Sequence, residues 1–313
     1  MPDFLKFMEL LLTKGEAEAM SFLEKSSTTA SSLSIGGALT PSASHRYFTT
    51  VTDESSFLNK VENVQVGAIE QDVDLFHVSD RQLQRVPEGS EPGSKTGATN
   101  KGKRWHLKDV QLFPDVNFST LIDRQRQGNI ETYLSDLFAK VFRNDLLQLG
   151  LVGNEADADA FVKLNDGWFT LAKNSTDTAK EANVLATGVD HLSTLDVMLQ
   201  AMPDKYLKEG QTSFLMSKKN ALAWGKEMAS KDGLNPYFIT GNIPSYNGYS
   251  VEGVAGFPQD KFLLTDPKNL GFGMGSTIQR YREVNGRKRC IEYTWTLYSD
   301  YIIFNDEAVV LSE

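Results

Sequence analysis

Three carboxylates at alternating positions, Glu155, Asp157 and Asp159 in the stretch LVGNEADADAFVKLNDGW (151 to 168), are the residues of this chain best spaced for chemistry. Oxygen ligands two residues apart are what a calcium loop presents to its ion. That loop also needs a glycine at its sixth position, for a sharp turn, and a bidentate Glu at its twelfth. Counted from Glu155, those positions hold Ala160 and Asp166. With two defining residues missing, the run reads as a solvated loop closed by an Asn165-Asp166-Gly167 turn ahead of Trp168 and Phe169. No metal is expected there.

Other candidate chemistry fails in a similar way. The histidines His45, His77, His106 and His191 are scattered, and no H-E-x-x-H, G-x-S-x-G or phosphate-loop motif occurs. GFGMGS (271 to 276) has the wrong glycine spacing for a dinucleotide fingerprint and leads into strand-like TIQRYREV, so it reads as a turn between strands. Cys290 beside Arg289 invites comparison with an activated thiol, but an alternating strand pattern around it points to packing. The residues thus nominate no catalytic group, no cofactor and no metal, and an enzyme is not expected. A cytoplasmic enzyme without a recognisable motif stands as an alternative.

Composition bounds the remaining classes. At 313 residues, 40% hydrophobic and 23% charged, the chain can bury one large core or two modest ones. A single cysteine excludes an internal disulfide framework. No apolar run approaches a membrane span, and the opening MPDFLKFMELLL lacks the pattern of a secretory signal, so a cytoplasmic product with no membrane partner is expected. A net charge of -9 opposes bulk affinity for a polyanion. Positive charge is nevertheless concentrated from Arg81 to Lys108, in Arg85, Lys95, Lys101, Lys103 and Arg104 among others. Within it PEGSEPGSKTGATNKGK has only Ala98 to bury, which predicts a long solvated excursion. Trp105 is its one aromatic, too few for a base-stacking platform.

The elements that must carry these residues follow from periodicity. Phe4, Leu5, Phe7, Met8, Leu11 and Leu12 suit an amphipathic helix, and SSTTASSLSIGG (26 to 37) is a tether by composition, so the N-terminus reads as an arm whose apolar face docks on a partner. VENVQVGAIEQDVDLFHV and RWHLKDVQLFPDVNF alternate and flank the basic excursion, as in an extended β-ribbon standing off the body. An isolated hairpin is marginal in water, so such a ribbon makes sense lying on another molecule. Ile130, Tyr133, Leu134, Leu137, Phe138, Val141, Phe142, Leu146 and Leu149 predict one long helix, with Gly150 and Gly153 as its stop. After about Thr176 the chain reads as α+β: a helix ended by Pro203, a buried strand QTSFLMS, a helix KKNALAWGKEMASKDG and strands at GYSVEGV and KFLLTD. Two long alternating runs, TIQRYREV and RKRCIEYTWTLYSDYIIFN, hinge at Asn285-Gly286.

This succession resembles the major capsid proteins of tailed bacteriophages, the Hong Kong 97 fold family. GGALTPSASHRYFTTVTDESSFLNKVENVQV matches the family's Gly-Gly segment, helix and first strand. The long excursion, the spine helix with its LGLVGN...NDGW exit, TSFLMSKKNALAWGKEMASKDGLNPYF and the last hairpin follow in family order. The resemblance implies an N-terminal arm (1–50), an extended loop with flanking peripheral segment (51–120), a spine helix and exit loop (121–175), an axial domain (176–275), and peripheral strands with a return to the core (276–313). It also implies self-assembly into hexamers and pentamers of an icosahedral shell around double-stranded DNA, in a virion made in the host cytoplasm. Portal, scaffolding and decoration proteins are the implied partners. Only about 35 residues precede the Gly-Gly pair, too few for a scaffold in cis, so a separate scaffold or none is expected. An encapsulin-like compartment shell is the alternative of the same fold. Expected subunit contacts are Arg85, Lys95, Lys101, Lys103, Arg104 and Trp105 on the extended loop, and Phe4, Leu5, Met8, Leu11 and Leu12 on the arm.

Overall fold

The structure, a computed structural model, describes residues 37–38, 57–74, 76–77, 85, 88–89, 99–100, 102–119, 130–188, 190–232, 243 and 245–313. Arm residues Phe4, Leu5, Met8, Leu11 and Leu12, together with Lys95 and Lys101, lie outside the described residues.

Strand β15 (Cys290–Ile303) is the axis of the first sheet. Along one side run β14 (Gln279–Asn285) and β13 (Leu270–Gly275), antiparallel to it, and along the other run β7 (Lys108–Leu112) and β8 (Asp115–Asn117). Outside β13 lies β2 (Glu62–Val66), parallel, and outside β14 lies β1 (Gly37–Ala38), antiparallel. Aromatic and aliphatic residues at alternate positions of β15, among them Tyr293, Trp295, Leu297 and Tyr301, fill the space beneath this sheet.

Helix α1 (Ile130–Val152) covers that face. Phe138, Phe142, Leu146 and Leu149 are buried, recurring at three and four residues, and Phe138 meets the Tyr293 ring at 6.0 Å. Leu137 and Val141, assigned to the same stripe from sequence, instead lie on the outer side, 42% and 40% exposed. Gly150 does not stop the helix; it sits inside the last turn, where a Cβ would stand 2.7 Å from the Tyr301 ring. The Tyr301 hydroxyl donates to the Leu146 carbonyl at 2.6 Å, so this glycine lets an aromatic side chain lie flat against the helix.

A second sheet runs in the order β11 (Ser250–Val254), β10 (Ser213–Ser217), β12 (Phe262–Thr265), β16 (Val309–Ser312), β9 (Ala179–Glu181). Its faces serve two cores. Leu215, Leu263, Val309 and Leu311 point toward α1 and α2 (Trp168–Asn174), whereas Phe214, Met216, Phe262, Leu264 and Val310 pack with α3 (His191–Ala201) and α4 (Lys218–Asp232). Asp190 starts α3 by accepting from the Ser193 N–H at 3.3 Å, and Pro203 follows its end.

Two readings of the sequence are corrected by these pairings. GFGMGS is no turn: residues 270–275 are the fully buried strand β13. This strand joins the first sheet, while the C-terminal β16 joins the second. The Asn285-Gly286 signal does mark a hairpin, but Asn285 pairs with Cys290, so four residues make the turn and Arg289 takes the left-handed conformation at φ 54°.

Candidate assembly surfaces

The ribbon is shorter at its base than its alternation suggests, because Glu62–Val66 joins the first sheet. Pairing of the ribbon itself begins with β3 (Glu70–Val73) against β6 (Lys103–His106) and continues with β4 (Phe76–His77) against β5 (Thr99–Asn100). Period-2 alternation puts Trp105 on one face and Arg104 and His106 on the other.

Trp105 is 1% exposed, with Val66, Leu107 and Ile302 about it and Phe304 edge-on at 6.4 Å. Its ring lies on Gly273 of β13, where a Cβ would meet the indole at 2.6 Å. Here is the physical reason for the G-F-G-M-G pattern. Phe272 and Met274 face the α1 core, while on the opposite face Gly273 leaves room for the indole, Gly271 for Ile302 and Phe304, and Gly275 for Tyr298. Within the chain Trp105 is thus engaged by its own sheet, and it fixes the ribbon root to β13.

Charged groups complete the root. The buried Asp300 carboxylate accepts from the His106 N–H at 2.7 Å, the Tyr301 N–H at 2.8 Å and the Asn165 side-chain amide at 3.5 Å. Burial raises its pKa despite these donors. Lys103 donates to Asp306 at 2.6 Å. Arg104 stands directly across from Asp72, donating at 2.6 Å, and reaches Glu70 at 3.3 Å. That guanidinium holds the Asp72 carboxyl below its ordinary range. Of the expected loop contacts, Lys103 is thus committed within the chain, while Arg104 pairs on the surface and Arg85 is exposed.

The acidic run after α1 is held by its own backbone. Asp157 accepts from the Asp159 N–H at 2.9 Å, Asp159 from the Phe161 N–H at 2.8 Å, and Asp166 from the Glu155 N–H at 2.9 Å. Glu155 pairs with Lys108 at the ribbon root. The carboxylates act as turn acceptors, the role that Asp takes wherever a chain bends sharply.

Among the described residues one further group, Asp115, Cys290 and Glu292, places three ligand-type atoms within 4.8 Å of one another. Burial pushes the Cys290 thiol up, with the Glu292 and Asp115 carboxylates adding to the effect, and Glu292 is already engaged by Lys288 at 2.9 Å. The thiol is therefore a packing group, not a nucleophile. His191 is likewise spoken for, its Nδ1 lying 2.6 Å from Glu227, and His45 lies outside the described residues. No helix among the described residues is long and apolar enough to cross a membrane.

Apolar side chains do reach solvent, and sequence reasoning missed most of them. Phe113 (65%), Ile69 (59%) and Leu222 (64%) join Leu137 and Val141 as exposed large hydrophobics. Phe113 had a readable signal, an apolar residue ahead of Pro114 in the break between two strands.

No family model matches the chain, and no curated protein matches it in sequence. Solved structures do match in fold. A subunit of the satellite phage P4 procapsid that includes the size determination (Sid) protein superposes with a TM-score of 0.69 at 15% identity, covering 91% of this chain and 94% of that one. The capsid subunit of the native GTA particle gives a TM-score of 0.57 at 16% identity, with 97% of each chain covered. The virus-like particle from Pyrococcus furiosus gives 0.52 at 12% identity, covering 86% and 96%. At such identities the shared property is the fold. The chain has the Hong Kong 97-like capsid fold, α+β with an extended loop and a long spine helix.

Proposed function

We propose that this chain is the major capsid protein of a tailed bacteriophage, a structural protein and not an enzyme, which builds hexamers and pentamers of an icosahedral shell around double-stranded DNA. The observation that carries the reading is the match to a procapsid subunit along most of both chains, 91% of this chain on 94% of that one. The exposed apolar residues and the ribbon fit it, since surfaces of this kind gain stability when copies of one chain cover one another. Portal, scaffolding and decoration proteins are further partners on this reading, and DNA is enclosed without sequence recognition, consistent with a net charge of -9. The protein then resides in the virion.

Electron microscopy of the purified chain tests this. Closed shells, or capsomers that close on adding a scaffold, are expected; a monodisperse monomer at high concentration refutes it. Deleting residues 2–30 and replacing Arg85, Lys95 and Lys101 together with Glu are each expected to impair assembly without unfolding the body. Normal assembly by both variants removes the arm and the loop tip from the interface. A compartment shell, the second reading of the same fold, predicts particles that never hold nuclease-protected DNA.

A further inference from the structure

Between β15 and β16 the chain crosses from the first sheet to the second through residues 304–308, whose last part is the 3-10 turn Asp306–Ala308. This crossover meets the ribbon root. Lys103 and Trp105, which share a face of β6, reach it together: Lys103 donates to Asp306 at 2.6 Å, and the Trp105 ring meets Phe304 edge-on at 6.4 Å. The next carboxylate meets the segment that follows α3. Glu307 accepts from the Lys205 ammonium at 2.9 Å and from the Tyr206 hydroxyl at 2.9 Å, both in the 3-10 turn Asp204–Tyr206. The backbone between these contacts is pinned as well. The Asn305 N–H donates to the Asn269 side chain at 2.8 Å, the Asn269 amide donates back to the Asn305 carbonyl at 2.8 Å, and the Asp306 carbonyl accepts from the Thr178 hydroxyl at 3.2 Å.

We propose that residues 304–308 couple the ribbon root to residues 204–207, so that a shift of either is felt at the other. Consecutive carboxylates of one short turn, Asp306 and Glu307, hold cations of two different elements. A turn this short cannot move one carboxylate without carrying the other. Coupling therefore runs through a contiguous set of packed and hydrogen-bonded groups, from Lys103 and Trp105 through 304–307 to Lys205 and Tyr206. The other face of β6 takes no part, since Arg104 is turned to Asp72 and Glu70. Such coupling is reciprocal: what the ribbon does to 204–207, that segment does to the ribbon with the same free energy. In a shell of the kind proposed above, a neighbour that bends the ribbon thereby repositions the segment after α3 in the same subunit. That use rests on the proposed function, whereas the coupling belongs to the folded chain.

Amide hydrogen exchange of the purified full chain tests the coupling in both directions, at one pH and in one assembly state. The Tyr206 and Leu207 amides donate to Pro203 and Asp204 inside their own turn, so opening of that turn is what exposes them. Lys103→Met keeps the aliphatic stem and removes the ammonium. It is expected to speed exchange of Tyr206 and Leu207 at least about two-fold, the scale of a partly exposed ion pair. Lys205→Met is expected to do the same, at least about two-fold, to the amides of 103–106. Arg104→Met, one residue away on the other face, is expected to leave Tyr206 and Leu207 unchanged. Unchanged exchange at 206–207 in Lys103→Met, unchanged exchange at 103–106 in Lys205→Met, or an equal effect from Arg104→Met overturns the proposal. Because exchange is read in any assembly state, failure here leaves the proposed function standing, and failure of shells to form leaves the coupling standing.

Discussion

The ribbon root and the acidic loop after α1 are both charged, both surface-lying and both tempting as sites, yet they are held in opposite ways. The root depends on partners far away in sequence: Trp105 on Gly273, His106 on Asp300, Lys103 on Asp306. The loop depends mainly on itself, each of Asp157 and Asp159 accepting from an N–H two residues on, with the Glu155–Lys108 pair as a link to the root. Long-range support makes a segment's direction a property of the whole domain, whereas local support makes a turn that any fold can carry.

The hardest blow to this contrast is Trp105→Ala. Emptying a site 1% exposed is expected to lower unfolding free energy by about 3–5 kcal/mol, measured by urea denaturation. Gly273→Ala alone should cost about 1–3 kcal/mol by forcing a methyl into the indole. Both changes together should cost less than their sum, because the new methyl occupies part of the void. Strict additivity would show that the two residues do not share the contact described.

Next in size is Asp300→Asn. Both carboxylate oxygens accept, so an amide turns a donor toward donors, and a loss of about 1–3 kcal/mol is expected. Faster exchange of the His106 amide should accompany it. A variant as stable as the parent would mean that the desolvation that raises the Asp300 pKa offsets everything its hydrogen bonds contribute.

Asp159→Ala probes the other side of the comparison. The loss of one turn acceptor is expected to cost about 0.5–2 kcal/mol, confined to exchange of the Phe161 and Val162 amides. Any loosening of the ribbon in this variant would break the claim that the turn around Asp159 is held locally.

The smallest effect belongs to Arg104 and Asp72. With the Asp72 pKa lowered in the fold, its contribution is present above the ordinary carboxylate range near pH 4 and is lost as pH falls through the depressed value. Melting of the whole chain should not register this. Amide exchange within 70–73 and 103–106, compared at neutral and acidic pH, should show a modest loss of protection on acidification, and Arg104→Ala should show it already at neutral pH.

Much of the fold was legible because burial imposes periods. The three-and-four spacing of Phe138, Phe142, Leu146 and Leu149 announces α1, and the alternation through Tyr293, Trp295 and Leu297 announces β15, since each period is a consequence of backbone geometry alone. The missing glycine and Glu of a calcium loop were equally local facts. Glycine was where sequence reading failed. Gly150 looks like a helix stop and G-F-G-M-G like a turn, because glycine's meaning depends on what lies over it, and Tyr301 and Trp105 arrive there from 151 and 168 residues away in the chain. The same holds for the charges: sequence marked Lys103, Arg104 and Trp105 as one basic, aromatic patch, and only the tertiary structure could turn Trp105 inward and spend Lys103 on Asp306, because strand alternation fixes which residues share a face and the sheet beneath decides which face is buried.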